Sequence, residues 1–426
     1  MRIMLLGAGG FIGRYILSEL LAAEHEVIGV VRSLGDLPTA FPQAHFLSLN
    51  LAQATDPLVW QSHLIGIDCV VNAAGILRGT TMEAVHVGMP KALYAAALQV
   101  GVRHVVLISA ISARADVTTD YSVSKLAGEN VLKESGLGWT VLRPSLVYGD
   151  GSYGGTSLMR GMAALPVLVP LPGSGEFLFT PIHAEDLSRS VRLACERNDL
   201  QCHTLEPVGP NTFTLSELLA RYRAWLGFGR ARYLPVPMPL MRLLGRIGDI
   251  TSNGPVSTNS LEQMMAGNAG NSAAFAEAIG FQPRSLDSVL VARPAQVQDR
   301  WHARLFFLAP AIKALLVLLW LASAWLGLSY GSEATRSVVA GFGLASAWGE
   351  PLRLGGSILD MAVALLVLFD RDARWSTVVQ LSVVAGYTIV IGIAVPSLWL
   401  DPYGPLLKNL PVLLLIAVHG VIGNNR

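Results

Sequence analysis

The sequence predicts a doubly wound parallel α/β sheet followed by an all-α, four-helix transmembrane region. Three observations predict it. A short apolar strand at residues 2–6 runs directly into a glycine-rich turn and then a helical pattern. Further short apolar strands alternate with helical stretches, which is the pattern of a parallel sheet covered on both faces. Beyond residue 304 the chain becomes four apolar runs, each close to the ~20 residues that a bilayer helix needs.

Composition narrows the function classes. Lys and Arg total 31, Asp and Glu total 30, and only 14% of the chain is charged while 52% is hydrophobic. A near-neutral chain of this kind presents no dominant basic surface, so nucleic acid is not expected as a partner. The apolar content excludes a disordered chain. A mean hydropathy of +0.48 is unusual for a wholly soluble protein and places part of the chain in lipid. Cys69, Cys195 and Cys202 have no paired or metal-ligand spacing, so neither a disulfide framework nor a metal site is expected.

The elements follow in order. Met1-Arg2 before Ile3–Leu6 imitates a signal peptide, but the apolar stretch is too short and meets glycines instead of a cleavage site. It reads as the first strand. Gly7-Ala8-Gly9-Gly10-Phe11-Ile12-Gly13 follows. Gly7 permits the tight turn, Gly10 lets backbone approach a pyrophosphate, and Gly13 lets the helix pack on the strand. The helix that begins there offers unpaired N–H groups to phosphate. A second strand, residues 26–31, ends in Arg32-Ser33. An acidic residue at this place would grip a ribose 2′-hydroxyl and favour NAD. Arg32 instead suits a 2′-phosphate, so NADP is preferred and NAD stays the second choice.

Strands are expected at 45–49, 69–72 and 104–109, with a helix at 90–99. The fourth strand ends in Asn72-Ala73-Ala74-Gly75, small residues that let backbone lie along a cofactor. Tyr121 and Lys125 lie four apart on a predicted helix, hence on one face. A neighbouring ammonium favours phenolate and would lower the tyrosine pKa toward one useful for proton transfer; the lysine can also bond a nicotinamide ribose. Residues 207–219 and 231–244 read as substrate-side loops and helices, and 284–299 as a connector.

These residues carry a resemblance. Gly7, Gly10 and Gly13, Asn72–Gly75, Tyr121 with Lys125, and Arg143-Pro144-Ser145 resemble the extended or atypical short-chain dehydrogenase/reductase superfamily. The nearest branch contains the NADPH-binding accessory subunit of mitochondrial complex I. Gly149, Gly173-Ser174-Gly175 and residues 181–187 resemble the substrate-side region of such proteins. The resemblance covers residues 1–295. It implies cofactor contacts at Gly7, Gly10, Phe11, Ile12, Gly13, Arg32, Asn50, Leu51, Ala73, Ala74, Gly75 and Lys125. It also implies a catalytic set of Tyr121, Lys125 and Ser109. Two departures stand out. Ser109 is followed by Ala110 and Ile111 where catalytic relatives carry a Ser or Thr, so Ser109 or Ser112 would have to substitute. Asn50-Leu51 replaces the Asp-Leu often found near adenine.

The apolar runs are residues 305–328, 352–369, 375–394 and 406–422. Only thirteen charged residues fall between 305 and 426, and most punctuate these runs. Trp301, Trp325, Trp375, Trp399 and Tyr403 lie near run ends, as in an aromatic belt. Arg300, Arg304, Arg371, Arg374 and Arg426 fall on one side of a four-helix path, and Arg336, Arg353 and Lys408 on the other. The first side is expected to be cytoplasmic, with the cofactor-binding half beside it. Lys313, Asp360 and His419 lie inside the runs, and a Lys313–Asp360 pair between the first two helices is one arrangement for them. The four runs, with the segment 396–409 between the last two, resemble the DoxX-like membrane family over residues 301–426. Relatives there include quinone-linked oxidoreductase subunits.

Two functions follow. The first is an NADP-dependent oxidoreductase or epimerase-like protein of the inner, cytoplasmic membrane, acting on a small or lipophilic substrate with Tyr121 as proton donor or acceptor. The second is a non-catalytic NADPH-binding assembly subunit with a membrane protein partner. Ala110 favours the second, and the Tyr121–Lys125 pair favours the first.

Overall fold

A computed structural model describes residues 1–250 and 258–423. The chain divides into two compact units, Met1–Ala303 and Arg304–Arg426.

The first unit is built on a seven-stranded parallel sheet. Its strands are β1 (Arg2–Leu6), β2 (Glu26–Val31), β3 (His45–Ser48), β4 (Cys69–Asn72), β5 (His104–Ile108) and β6 (Gly138–Leu142), with His203–Leu205 outside β6. The order is β3-β2-β1-β4-β5-β6, so the winding reverses between β1 and β4. In open sheets of this kind ligands bind at such a reversal, beyond the carboxyl ends of the strands. The register aligns Leu6 with Val30 and Asn72, and Asn72 with Leu107, so the four strand ends lie side by side.

The strands read as continuous apolar runs because both faces are covered. In β1, Ile3 and Leu5 join one core with Val27, Val71 and Val106. Met4 and Leu6 join the other, with Val70, Trp60 and Leu93. Helix α1 (Phe11–Ala22) packs Ile16, Leu17 and Leu20 into the first core. A third core fills the lobe after β6, where the helices Gly155–Ala163 and Leu215–Trp225 enclose Met159, Leu218 and Tyr222. In that lobe the strand Leu168–Pro172 pairs in parallel with Arg232–Val236, which leads into the helix Met238–Ile250.

One buried ion cluster fixes the helix Asp120–Lys133 against the sheet. Glu129 is fully buried. Arg143, just past β6, donates from Nε at 2.8 Å and Nη2 at 2.7 Å to its two oxygens. Ser109, just past β5, donates its hydroxyl at 2.6 Å, and Lys133 adds a fourth donor at 3.3 Å. The neighbouring Gly128 allows the same close approach, since a Cβ there would stand 2.3 Å from the His86 carbonyl oxygen.

In the second unit, three helices are long and apolar enough to cross a membrane: Val297–Tyr330, which begins in the first unit, Ser346–Phe369 and Arg374–Ala394. The fourth expected run is shorter than the sequence suggests. Its helix is Asn409–Ile422, 14 residues, and Leu406–Lys408 stay in turns after Pro402, Gly404 and Pro405. At 1.5 Å per residue it spans about 21 Å, below the ~30 Å hydrocarbon core. A ten-residue helix, Ser332–Gly341, follows the first span and was not foreseen.

The Lys313–Asp360 pair does not form. Lys313 donates to the Asp370 carbonyl at 3.0 Å. Carbonyls at a helix end lack an internal partner and carry the negative end of the dipole, which suits an ammonium. Asp360 lies ten residues earlier, about 15 Å along the axis. It accepts from the hydroxyls of Ser323 at 2.6 Å and Tyr387 at 3.0 Å. Trp320 donates its indole N–H to Gln380 at 3.0 Å.

Glu129→Ala should leave the Arg143 guanidinium without its carboxylate partner in the interior. Breaking such a pair from one side costs about 3–5 kcal/mol. Thermal unfolding of the first unit should show a lower midpoint, and the double variant Glu129→Ala/Arg143→Met should recover part of the loss. An unchanged midpoint in the single variant would contradict the clamp.

Candidate functional site

The site grows from the β1–α1 turn. Gly7 adopts φ +78°, and its N–H donates to the Val30 carbonyl. A Cβ at Gly13 would lie 2.0 Å from the Gly7 carbonyl oxygen, so only glycine lets α1 start this close to β1. Gly10 precedes the first helical residue and has no side chain to cap it. Phe11, Ile12 and Gly13 form the first turn, whose N–H groups have no intrahelical acceptor. This is a cradle for an anionic group at a helix N-terminus, and it fits a dinucleotide pyrophosphate.

The other expected contacts surround it. Arg32 follows β2 directly and is exposed. Asn50 follows β3, where its side chain accepts from the Ala52 N–H at 3.2 Å, and Leu51 is half-buried beside it. Ala73, Ala74 and Gly75 follow β4, and a Cβ at Gly7 would stand 3.0 Å from the Ala73 oxygen. The structure therefore brings the glycine turn against 73–75. Aromatic rings that the sequence reading missed flank the turn. Phe11 stacks on Tyr153 at 6.1 Å, and the Tyr15 hydroxyl accepts from the Asp150 N–H at 3.0 Å.

Lys125 is buried, with its ammonium donating to the carbonyls of Ile108 at 3.0 Å and Ala74 at 3.5 Å. It thus ties the ends of β4 and β5 to one helix. A Cβ on Gly75 would lie 3.0 Å from Lys125 Nζ. Burial lowers the Lys125 pKa to about 8, against the opposing pull of Glu129. Tyr121 lies one turn earlier on the same helix. Its pKa is not lowered as the sequence reading expected; burial pushes it up to about 12. The cause is desolvation of the phenol, while the Lys125 ammonium is engaged with two carbonyls.

Ser109 is not beside Tyr121. Its hydroxyl is donated to Glu129, eight residues or about 12 Å along the helix from Tyr121. Ser112 is buried and its hydroxyl has no partner, which leaves it free to turn.

The residue that stands beside the tyrosine and the lysine is His86. It lies in a π-helical segment, Ala84–Gly88, a distortion frequent at functional sites. Its ring meets the Tyr121 ring edge-on at 5.8 Å. The hydrogen bonds fix its tautomer. Nε2 accepts from the Ile76 N–H at 3.2 Å, so the proton is on Nδ1, which donates to Ser124 Oγ at 2.8 Å. Ser124 in turn donates to the Tyr121 carbonyl at 3.0 Å. Burial, and then the Lys125 charge, lower the His86 pKa to about 3. With Lys125, Asn72, Ala74, Val85, Leu107 and Gly128 it lines a small cavity. Its only sequence signal is a histidine inside the apolar stretch Val85–Val87, just ahead of a helix.

Comparison with known proteins agrees with this geometry. Residues 7–162 match the NAD(P)H-binding family model, and residues 317–417 match the DoxX-like family. A ceramide reductase of Caulobacter vibrioides is 24% identical over 254 residues, covering 59% of this chain and 78% of that protein. The mouse mitochondrial NADH dehydrogenase [ubiquinone] 1 alpha subcomplex subunit 9 is 26% identical over 249 residues, covering 55% of this chain and 63% of that protein. A solved NADPH-dependent quinone oxidoreductase from Escherichia coli, in complex with NADPH, superposes with a TM-score of 0.55. It is 17% identical and the match covers 68% of this chain and 99% of that one, a likeness of fold. The chain thus resembles an NAD(P)H-binding domain over residues 7–162 and the DoxX-like family over residues 317–417, and its first unit shares the fold of solved epimerases and a quinone oxidoreductase.

His86 is neutral in the folded site and its pKa of about 3 lies below the ordinary 6.5. The unfolded chain therefore binds the extra proton between these values. Stability conferred by the neutral ring is present above pH 6.5 and is lost as pH falls toward 3. His86→Gln should flatten this part of the stability–pH curve. Parallel acid-side curves for parent and variant would refute the locked neutral tautomer.

Proposed function

We propose that this chain is a membrane-anchored, NADP-preferring oxidoreductase that reduces a lipophilic carbonyl or quinone. The observation that carries the proposal is the meeting of Lys125 with Gly75, beside the glycine cradle and one turn from Tyr121. When bound, the nicotinamide supplies or accepts a hydride. Gly7, Gly10, Phe11, Ile12 and Gly13 hold the pyrophosphate, Arg32 the 2′-phosphate, and Asn50 and Leu51 flank the adenine. Ala73, Ala74 and Gly75 give it a backbone bed. Tyr121 delivers a proton to the reduced oxygen, and Lys125 holds the ribose and adds positive charge near the phenol. His86 keeps the tyrosine–lysine helix and the 75–76 backbone in register through Ser124 and Ile76. A fixed register keeps the proton donor aligned with its acceptor.

The membrane half supports a lipophilic substrate. Its helices anchor the protein in the cytoplasmic membrane, and the nucleotide-binding unit lies on the cytosolic side, where its nucleotide is supplied. The likeness to a ceramide reductase supports the same substrate class.

A second reading keeps NADPH as a structural ligand of an assembly subunit with a membrane partner. The engagement of Ser109 with Glu129 favours it, because that hydroxyl is already committed to a carboxylate. The likeness to a complex I subunit supports it too.

Arg32→Asp should weaken NADPH binding by one charge-assisted contact, about 1.5–3 kcal/mol, and leave NADH binding little changed. Titration calorimetry on the purified protein checks it; equal affinity of the parent for both nucleotides would remove the basis for NADP.

Tyr121→Phe should keep NADPH binding and reduce turnover by about 10²–10⁴-fold, the usual range for general acid catalysis. Lys125→Ala should impair both. NADPH oxidation in nanodiscs, screened over quinones, aldehydes and keto-lipids, provides the rate. A parent protein that binds NADPH and turns over none of these would decide for the second reading.

A further inference from the structure

We infer that the helix Met238–Ile250 of the nucleotide-binding unit is an interfacial element that lies on anionic phospholipid. A surface helix on a soluble domain turns its apolar stripe toward the core. This one is reversed. Leu240, Leu243 and Leu244 are 47%, 53% and 44% exposed. At about 100° per residue they share one arc of roughly 100°. Gly245, on the far side of that arc, is the buried position among the helix residues whose burial is described. The helix thus seats on its own unit by a glycine and presents its leucines outward.

The preceding strand continues the patch. Leu234 is exposed on Arg232–Val236, and Leu168, on the same face by register, is exposed on the strand paired with it. Exposed apolar side chains gathered on neighbouring elements of a globular domain mark a contact.

Charge selects the occupant. From residue 230 to the end of the helix at 250 the charged side chains are Arg230, Arg232, Arg242, Arg246 and Asp249, four basic against one acidic. The whole chain carries a net charge of only +1, so this short stretch is sharply basic. Arg246 borders the leucine arc, and Arg242 lies one turn earlier, farther round the helix. Leucines on one face with arginines outside it, on a helix of modest overall hydrophobicity, are the pattern of a helix lying in a membrane interface. Each basic residue near an anionic leaflet adds attraction. The chain also runs from this unit straight into the apolar helix Val297–Tyr330, which keeps a bilayer within tether length. On that last point the inference rests on the second unit being membrane-embedded. It does not depend on the proposed reaction.

Spin labelling of the full chain tests it. Cys69 and Cys195 are buried, so replacing only the exposed cysteine (Cys202→Ser) leaves a background fit for single labels. Labels are placed by Leu243→Cys, Leu240→Cys, Arg246→Cys and, as a span control, Leu318→Cys. The protein is reconstituted in vesicles of equal parts phosphatidylcholine and phosphatidylglycerol. Collision with oxygen reports lipid, and collision with a nickel chelate reports water. The oxygen-to-nickel ratio should be severalfold higher at 240 and 243 than at 246. It should fall at 243 in pure phosphatidylcholine, or on adding Arg242→Gln. Lipid contact at 318 with water contact at 243 would overturn the inference alone. Water contact at both would overturn the membrane reading as well. Protection at 243 from both reagents would mean a protein surface covers the helix, which also overturns it. A label that disturbs packing at 243 is caught by the label at 240, which must report the same environment.

Discussion

The buried carboxylate of Glu129 is the contact on which the rest of the site depends. Three elements reach it: Ser109 from the end of β5, Arg143 from the end of β6, and Lys133 from its own helix. A buried carboxylate tolerates burial only when its oxygens are filled with donors, and here four donors converge. The result is a helix locked in rotation and height against the strand ends. Lys125 is one turn from Glu129 and Tyr121 two turns. Once the carboxylate is seated, the lysine has no place except under the Ile108 and Ala74 carbonyls. The same lock requires Gly128, because a side chain there would strike the His86 carbonyl.

Much of this was legible in the sequence, for identifiable reasons. Gly7, Gly10 and Gly13 could be read because the steric demand of the turn excludes other residues. The sheet could be read because parallel strands buried on both faces become continuous apolar runs. Tyr121 and Lys125 share a face by helical spacing alone. The partner of Ser109 could not be read. Glu129 lies twenty residues away on a mixed-polarity helix, where a carboxylate looks solvated. His86 escaped for a related reason: a histidine's role depends on what its two nitrogens meet, and Ile76 and Ser124 come from different segments. In the membrane half, hydropathy located the runs but not their ends. Pro402, Gly404 and Pro405 shortened the last helix. Lys313 chose a helix-end carbonyl over a carboxylate because depth along the axis, invisible in composition, decided the pairing.

The electrostatics describe a site that is quiet before its ligand arrives. Burial drives each group toward its neutral form: the phenol of Tyr121 up to about 12, the imidazole of His86 down to about 3, and Lys125 down to about 8. All three shifts have desolvation as the leading cause, so they share one origin. A dense polar cluster under low dielectric favours the charge state with least net charge. At about 8, Lys125 is still mostly the ammonium at neutral pH, and an anionic nucleotide laid along this edge would hold it there. Under the proposed reaction that ammonium would supply positive charge one turn from Tyr121, which would link cofactor binding to proton transfer through one lysine.

That coupling explains why the two functional readings diverge on so small a feature. A phenol near pKa 12 is a poor proton acceptor at neutral pH and a serviceable proton donor. The resting geometry is therefore better matched to carbonyl reduction, where oxygen gains a proton, than to alcohol oxidation, where the phenolate must form first. A strand-end hydroxyl would normally polarise the carbonyl in such a reduction. Here Ser109 gives that hydroxyl to Glu129, and Ser112 holds a buried, unpartnered one. An uncommitted buried hydroxyl carries the desolvation cost of its missing partner and gains most from a new acceptor. If the site turns over substrate, Ser112 is thus the better-placed source of the polarising bond in energetic terms. The chemistry would be redistributed along the β5 end, three residues from its expected place.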